Sequence, residues 1–370
     1  MTILSTDTSC DETSVAVTRG NIIISNVLWS QASMHSEYGG VFPSLAKRAH
    51  EEHIDWVIAK AIKKAFPSSQ STISHLLTTK IDAIAVTVGP GLAIALEVGI
   101  NKAKELAQTY NKPLVPVNHV EGHLLSVLAK PNTPKSAHHT PLTTHHTLLF
   151  PAFSLVASGK HTDLILVKGI GEYEIIAHTI DDALGEALDK AARMLGLGYP
   201  GGAILEKFAK KGDTKKYALP TPLAGQKERM EFSYSGLKTA FYRLTEKVKK
   251  GKALSKKQIY DLAAVFQDTA FRHVENVVVE ALNKYPDTKS FFFGGGVSAN
   301  TKLRKRLRKI CRKKDVELLV PYSKTLCTDN AGMIGVVAGY KLKKGEFLSP
   351  KNVNKIDREP RAKINYPFLT

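Results

Sequence analysis

An α/β fold built from two related lobes follows from three features of this sequence. Its 370 residues suffice for about two domains of roughly 150 residues each. Over residues 1–129, apolar strand patterns alternate with helical ones. The opening arrangement of apolar strand, small polar turn and apolar strand then returns at Ala152–Ala157 and Asp163–Val167, as a duplicated lobe would show. Matched on that turn, Ser5-Thr6-Asp7-Thr8 falls on Ala157-Ser158-Gly159-Lys160.

The first lobe spans 1–129. Ile3–Ser5, Ser14–Thr18 and Ile22–Trp29 read as strands around the small polar turn Asp7–Thr13. Pro43 opens a helix to Phe66, along which Leu45, Ala49, Ile54, Val57, Ile58, Ala61, Ile62 and Ala65 recur at helical spacing. Ile81–Val88 is a buried strand ending in Gly89-Pro90-Gly91, which leads into a helix through Tyr110. Leu114–Val117 is a short strand, and the helix after it carries His119 and His123. Residues 130–149 hold three prolines and four histidines without hydrophobic periodicity and predict a linker or surface insertion.

The second lobe spans 150–329. It continues with helices near Ala183–Leu195, Tyr234–Val248 and Lys256–Lys284, then the strand Ser290–Phe293, the turn Gly294-Gly295-Gly296 and a helix from Asn300. Residues 330–348 are expected to pack back on the first lobe, and 349–370 read as a basic tail. Phosphate-sized Gly, Ser and Thr turns at strand ends suggest a nucleotide cleft between the lobes.

Composition narrows the partners. With 43% apolar and 23% charged residues, collagen-like, low-complexity and coiled-coil readings are excluded. Lys and Arg exceed Asp and Glu by 18, which favours a polyanionic partner such as nucleic acid. The three cysteines, Cys10, Cys311 and Cys327, form no C-x-x-C pair and point to a reducing compartment. With no run of 18 apolar residues and no signal-like N-terminus, a cytoplasmic protein with no membrane contact is expected. Residues 301–314 carry nine Lys and Arg around a stripe of Leu303, Leu307, Ile310 and Cys311. Arg304, Arg308 and Arg312 then belong to a solvated face, which is either generic surface or a track for nucleic-acid phosphates.

In His119-Val120-Glu121-Gly122-His123 the imidazoles sit at i and i+4, about 40° apart on a helix, so both reach one metal ion or both lie on a solvated face. Glu121 lies about 200° away, which disfavours the zinc-protease arrangement. Asp329, in Cys327-Thr328-Asp329-Asn330, is a third ligand or a helix N-cap. Three turns offer backbone amides to phosphate: Asp7–Thr13, Ser158–Thr162 and Gly294–Asn300. Two more segments look like site loops: Asp181–Lys190, with four acids in nine residues at a helix start followed by the rigid turn Tyr199-Pro200-Gly201-Gly202, and Phe232–Thr239, a polar–aromatic helix start where Ser233 and Ser235 are either site hydroxyls or helix caps.

In this order the motifs resemble the TsaD family, the catalytic subunits of bacterial tRNA N6-threonylcarbamoyladenosine synthesis, formerly labelled O-sialoglycoprotein endopeptidases. The resemblance implies an actin/Hsp70/sugar-kinase-like fold, two lobes of ribonuclease-H-like topology around an adenylate cleft. It also implies transfer of the threonylcarbamoyl group from threonylcarbamoyl-AMP to N6 of the adenosine 3′ of the tRNA anticodon. His119, His123 and Asp329 match the family's ligands for one divalent metal ion per subunit, iron ahead of zinc. Val156, Ala157, Ser158, Gly159 and Lys160 match its substrate loop, and Asp189, Gly202 and Asn300 its further adenylate contacts. Asp11 and Glu12 match acids near the reacting centre. The implied partners are tRNA, threonylcarbamoyl-AMP, a TsaB-like paralogue and a TsaE-like ATPase.

Departures are local. Lys160 replaces the second glycine of Ser-Gly-Gly-His-Thr and is expected to strain the backbone or add a cation beside phosphate. Asn330-Ala331-Gly332 inverts the usual Asn-Gly-Ala, and Ala93-Ile94 follows Gly91-Leu92 where a glycine is usual. A non-catalytic paralogue would lack the histidine pair. An ATP-using kinase or chaperone of the same fold would need no tRNA.

Overall fold

The computed structural model describes residues 1–35, 38, 40–132, 150–226 and 229–369. They form two units, Met1–His146 with Val320–Thr370, and Thr147–Leu319.

In the first unit, β1 (Thr2–Asp7), β2 (Glu12–Arg19) and β3 (Ile22–Ser30) pair antiparallel. β4 (Ala83–Gly89) and β5 (Leu114–Asn118) join parallel on the other side of β1, and β6 (Lys130–Pro131) pairs parallel with β3. The order is β5-β4-β1-β2-β3-β6. Alternation within the strands separates two faces. Leu4, Val15, Val17, Ile84 and Val86 join a core with Ile54, Val57, Ile58 and Ile62 of helix Pro43–Ala65 and Leu96, Ile100 and Leu106 of helix Ala93–Thr109. The opposite face meets helix Ala331–Lys343, where Ser5 Oγ donates to the Ala331 carbonyl over 2.7 Å. That helix lies close because Gly335 has no side chain: a Cβ there would stand 2.6 Å from Thr18. Helix Ile73–Lys80, absent from the sequence reading, is too short for a clear period.

The second unit repeats the arrangement. β7 (Ala152–Ala157), β8 (Thr162–Gly169) and β9 (Glu172–Thr179) pair antiparallel, β11 (Ser290–Gly294) and β12 (Glu317–Leu319) join parallel beyond β7, and β10 (Glu231–Phe232) pairs parallel with β9. The order β10-β9-β8-β7-β11-β12 matches the first sheet strand for strand. Both have the ribonuclease-H-like order, and the duplication therefore covers whole sheets rather than one hairpin. Its register differs from the sequence match: β1 ends at Asp7 and β7 at Ala157, so Ala157 is the equivalent of Asp7, not of Ser5. Thr2, Ser5 and Thr6 in β1 and Ser154 in β7, all buried, interrupt the apolar period that would set that register.

Chain boundaries also differ from the sequence reading. Val320–Asp329, expected in the second lobe, belongs to the first unit, because the second sheet ends at Leu319. Of the expected tail 349–370, the described residues 349–369 belong there too. Val353 and Ile356 enter its core, Glu359 N–H donates to the Val88 carbonyl (2.7 Å), and Gly91 N–H donates to Pro360 (3.2 Å). In the expected linker, Lys130–Pro131 forms β6, and residues 133–149 lie outside the described residues.

Candidate functional site

The first unit gathers the histidine pair. Asn118, ending β5, caps helix His119–Leu125: its Oδ1 accepts from Val120 N–H (2.8 Å) and Glu121 N–H (3.3 Å). This fixes the first helical turn, and the rings of His119 and His123 lie edge to face with centroids 4.7 Å apart. Asp329 Oδ1 stands 3.0 Å from His123 Nε2 and 3.4 Å from His119 Nε2. One ligand atom from each of the three lies within 4.8 Å of the others. Asp329 is not an N-cap. Asn330 caps helix Ala331–Lys343 through Met333 N–H (3.1 Å), leaving the Asp329 carboxylate to the histidines.

The donor set fits a divalent cation. Both histidines are buried, and among the described residues Nδ1 of each, with Asp7 Oδ2, finds no hydrogen-bond partner. Asp7 Oδ2 is 3.5 Å from His119 Nδ1, the second carboxylate oxygen facing that ring. Burial works against charge on His119, but Asp329 and then Asp7 outweigh it and raise its pKa to about 10. Burial opposes ionisation of Asp329 as well, and the two histidines nevertheless hold its pKa well below the ordinary value. Burial, followed by the charges of Asp11, Asp329 and Asp7, pushes Glu12 well above the ordinary glutamate value. Converging carboxylates thus make a pocket that favours positive charge, to which a metal ion would bind with release of protons. Glu121 turns elsewhere, 3.8 Å from Lys341 Nζ, so the protease arrangement is absent.

The second unit assembles most of the expected substrate residues along one chain of contacts. Parallel pairing sets Val156 beside Gly294 at the carboxyl ends of β7 and β11, where α/β sheets bind ligands. Gly295 has φ +83°, and a Cβ there would lie 2.3 Å from the Ala157 carbonyl, so the two turns touch through backbone. Ser158 Oγ accepts from Lys160 N–H (3.3 Å) and His161 N–H (3.1 Å), closing the loop on itself. Gly185 N–H of helix Leu184–Met194 donates to the Ser158 carbonyl (3.1 Å). From that helix, Asp189 Oδ1 accepts from Gly201 N–H (2.9 Å) and Gly202 N–H (2.7 Å) at the start of helix Gly202–Ala209. Glu206 of the latter accepts from Thr301 N–H and Oγ1, beside Asn300. Asn300 caps helix Thr301–Lys313 through Lys302 and Leu303 N–H, and its Nδ2 donates to Gln267 (3.0 Å).

Lys160 carries no backbone strain: among described residues other than glycine, positive φ occurs only at Asn111, Leu223, Lys250 and Asp315. The hydroxyl-cap reading of Ser233 and Ser235 does not hold. Both donate to Asp181 (2.6 and 2.7 Å), whose other oxygen accepts from Tyr234 N–H (2.7 Å), so a distant carboxylate closes the start of helix Ser235–Lys249.

Asn118 escaped the sequence reading as a site residue, and Asp7 and Asp181 entered it only as the first residues of the Asp7–Thr13 turn and the Asp181–Lys190 segment, without the roles they have here. Asn118 had a readable signal, an Asn directly before a helix. Asp7 had a weaker one, an acid at the end of a strand pattern and the start of a small polar turn.

The sequence matches the family model described as TsaD, tRNA N6-adenosine threonylcarbamoyltransferase, over residues 22–336. A curated relative of that name from Bartonella bacilliformis is 40% identical over 385 aligned residues, covering 100% of this chain and 98% of the relative. Another, from Chelativorans sp., is 42% identical over 354, covering 93% and 90%. Among solved structures, HypF from T. kodakarensis has a TM-score of 0.57 at 15% identity, covering 93% of this chain and 48% of that one. Full-length HypF in its phosphate- and nucleotide-bound form has a TM-score of 0.56 at 14% identity, covering 93% and 47%. The HypF likeness shows the fold alone. The family match and the near-complete alignments to these relatives show that the chain belongs to the TsaD family of tRNA N6-adenosine threonylcarbamoyltransferases.

Proposed function

We propose that the protein transfers the threonylcarbamoyl group from threonylcarbamoyl-AMP to N6 of adenosine 37, 3′ of the anticodon, in tRNAs reading ANN codons. The products are t6A and AMP. The observation that carries this reading is the His119, His123 and Asp329 cluster in a chain of this family. In the reaction the N6 amine attacks the carbamoyl carbon, the bond from that carbon to the AMP phosphate oxygen breaks, and N6 gives up one proton. No covalent enzyme intermediate is needed, because AMP is already a good leaving group.

A divalent ion on His119, His123 and Asp329, iron ahead of zinc, would supply Lewis acidity and a template for the negatively charged donor. Asp7 orients His119 from its other ring nitrogen. Asp11 and Glu12 are the acids assigned to the reacting centre, where an ionised carboxylate can accept the N6 proton. The loop Val156, Ala157, Ser158, Gly159 and Lys160 offers amides and one cation to the adenylate phosphate. Asp189 and Asn300 act by pinning the amides of Gly201–Gly202 and the start of helix Thr301–Lys313, which shapes the adenylate site. A TsaB-like paralogue and a TsaE-like ATPase are the expected partners, in the cytoplasm. Among the described residues no helix is long and apolar enough to cross a membrane.

The test is mass analysis of tRNA nucleosides from a strain depleted of its own enzyme and complemented with this chain. Restored t6A is expected. Its absence despite folded, metal-loaded protein overturns the reading.

A further inference from the structure

Helix Thr301–Lys313 sorts its cations by face. Leu303, Leu307 and Cys311 are buried and fix the inner stripe. The flanking cations are already engaged: Arg306 bridges Asp268 (3.0 Å) and Glu275, Lys302 lies 3.4 Å from Asp268, and Arg304 donates to the Ser298 carbonyl. Asp268 and Glu275 belong to helix Lys256–Lys284. Arg304, expected on the solvated face, is thereby removed from it.

Five others differ. Lys305, Arg308, Lys309, Arg312 and Lys313 recur at i, i+3, i+4, i+7 and i+8 and line a recess of about 400 Å³. Among the described residues none of the five has an acidic partner or a side-chain hydrogen bond. The stripe rises about 12 Å along the helix axis, at 1.5 Å per residue. Residues 147–319 hold 31 Lys and Arg against 19 Asp and Glu, a surplus of 12 out of the chain's 18.

Five like charges held 3 to 4 residues apart repel one another, and a fold that neutralises the inward cations with Asp268 and Glu275 leaves these uncompensated. A row of phosphates is the chemistry that relieves this. Among the described residues no aromatic or amide side chain lines the recess to stack on or read a base.

We propose that this stripe is a contact surface for the tRNA phosphate backbone, separate from the residues assigned to transfer and indifferent to base sequence. The proposal rests on tRNA being the substrate. It predicts an electrostatic track that raises tRNA affinity without taking part in the chemistry.

The test compares the full chain with the triple variant Lys305→Gln, Lys309→Gln and Arg312→Gln. A control, Lys63→Gln, Lys64→Gln and Lys80→Gln, removes equal charge from exposed sites of the first unit. Gln keeps helix propensity, and thermal melting checks the fold. Binding of unmodified tRNA is measured from 50 to 200 mM salt. Each lost phosphate contact flattens the slope of log affinity against log salt by roughly 0.7 to 0.9. If three contacts are lost, wild-type affinity falls roughly 20- to 40-fold more over that range than the triple variant's. The control keeps the wild-type slope, and t6A formation at saturating tRNA is unchanged in both variants.

A wild-type slope in the triple variant overturns the proposal while leaving the transferase reading intact. Equal flattening in the control overturns it too, because net charge alone would then act. Loss of binding to vesicles of anionic phospholipid, with an unchanged tRNA slope, would assign the stripe to a membrane surface instead. Failure of the transferase reading shows separately, as absence of t6A from wild-type enzyme at saturating tRNA.

Discussion

Among the described residues the rings of His119 and His123 face Asp329, Asp7 and each other, and this sets what their loss should do. Elemental analysis of His119→Ala and His123→Ala should find the metal gone, with transfer abolished and the circular dichroism spectrum kept. Stoichiometric metal in the double variant would overturn the assignment. Lys160, unstrained and exposed, should act by charge alone. Lys160→Gly should then weaken an adenylate analogue severalfold without loss of stability; unchanged affinity removes Lys160 from the phosphate contacts.

His273 reports on pH. Burial lowers its pKa to about 4 despite the nearby Asp181, and its Nε2 accepts from Ser233 N–H (3.2 Å), which requires a neutral ring. The unfolded chain, with an ordinary histidine value near 6.5, therefore takes up the proton first. Stability is complete above about pH 6.5 and declines as pH falls towards 4, by about 3 kcal/mol at most. In His273→Gln the urea midpoint should change less between pH 7 and pH 4.5 than in the wild type. An equal acid loss in both would place the lability elsewhere.

Two elements carry the site by their ends. Asn118 caps the histidine helix with Oδ1 and ties it, through Nδ2, to the Lys363 carbonyl (2.9 Å). Asn118→Ala should cost about 0.5–2 kcal/mol in chemical denaturation and weaken metal binding. Asn118→Asp keeps the cap and loses the tie, so the difference between the variants measures what the C-terminal segment contributes. At the end of β11, Gly295 adopts a conformation that only glycine takes readily. Gly295→Ala adds a clash with Ala157 to a strain of order 1–3 kcal/mol, and it should lower both the melting temperature and AMP affinity by calorimetry. Retained affinity would separate the Gly-rich turn from the adenylate site.

The residues proposed for transfer fall in two units built on one sheet order. The histidines and Asp329 are in the first, the loop Val156–Lys160 with Asp189, Gly202 and Asn300 in the second. A ligand stabilises what it binds, so hydrogen exchange should resolve two local responses. Chelation should speed exchange in His119–Leu125 and around Cys327–Asn330 while Ser290–Gly294 keeps its rate. Addition of AMP should protect the second unit's turns. Acceleration spread evenly over both sheets on chelation would mean that the metal serves global stability.

Local regularity is legible in the sequence itself. The strands of the first hairpin, the helix from Pro43, the basic helix after Asn300 and the i,i+4 histidines all follow from side-chain periods that neighbouring residues impose on one another. Asp329 was legible as a ligand mainly through family resemblance, since its own neighbours fit an N-cap equally well. Its partner His123 lies 206 residues away, and closure of so long a loop leaves no periodic trace in the chain. The same holds for Asp7 behind His119, for Asp181 in place of hydroxyl caps, and for the C-terminal segment across Gly89–Gly91. On helix Thr301–Lys313 the apolar stripe was readable. Which cations remain uncompensated was not, because Asp268 and Glu275 reach it from another helix. Periodicity is written by adjacent residues, whereas pairing of buried charge is settled when distant segments pack and each polar group must find a partner out of water.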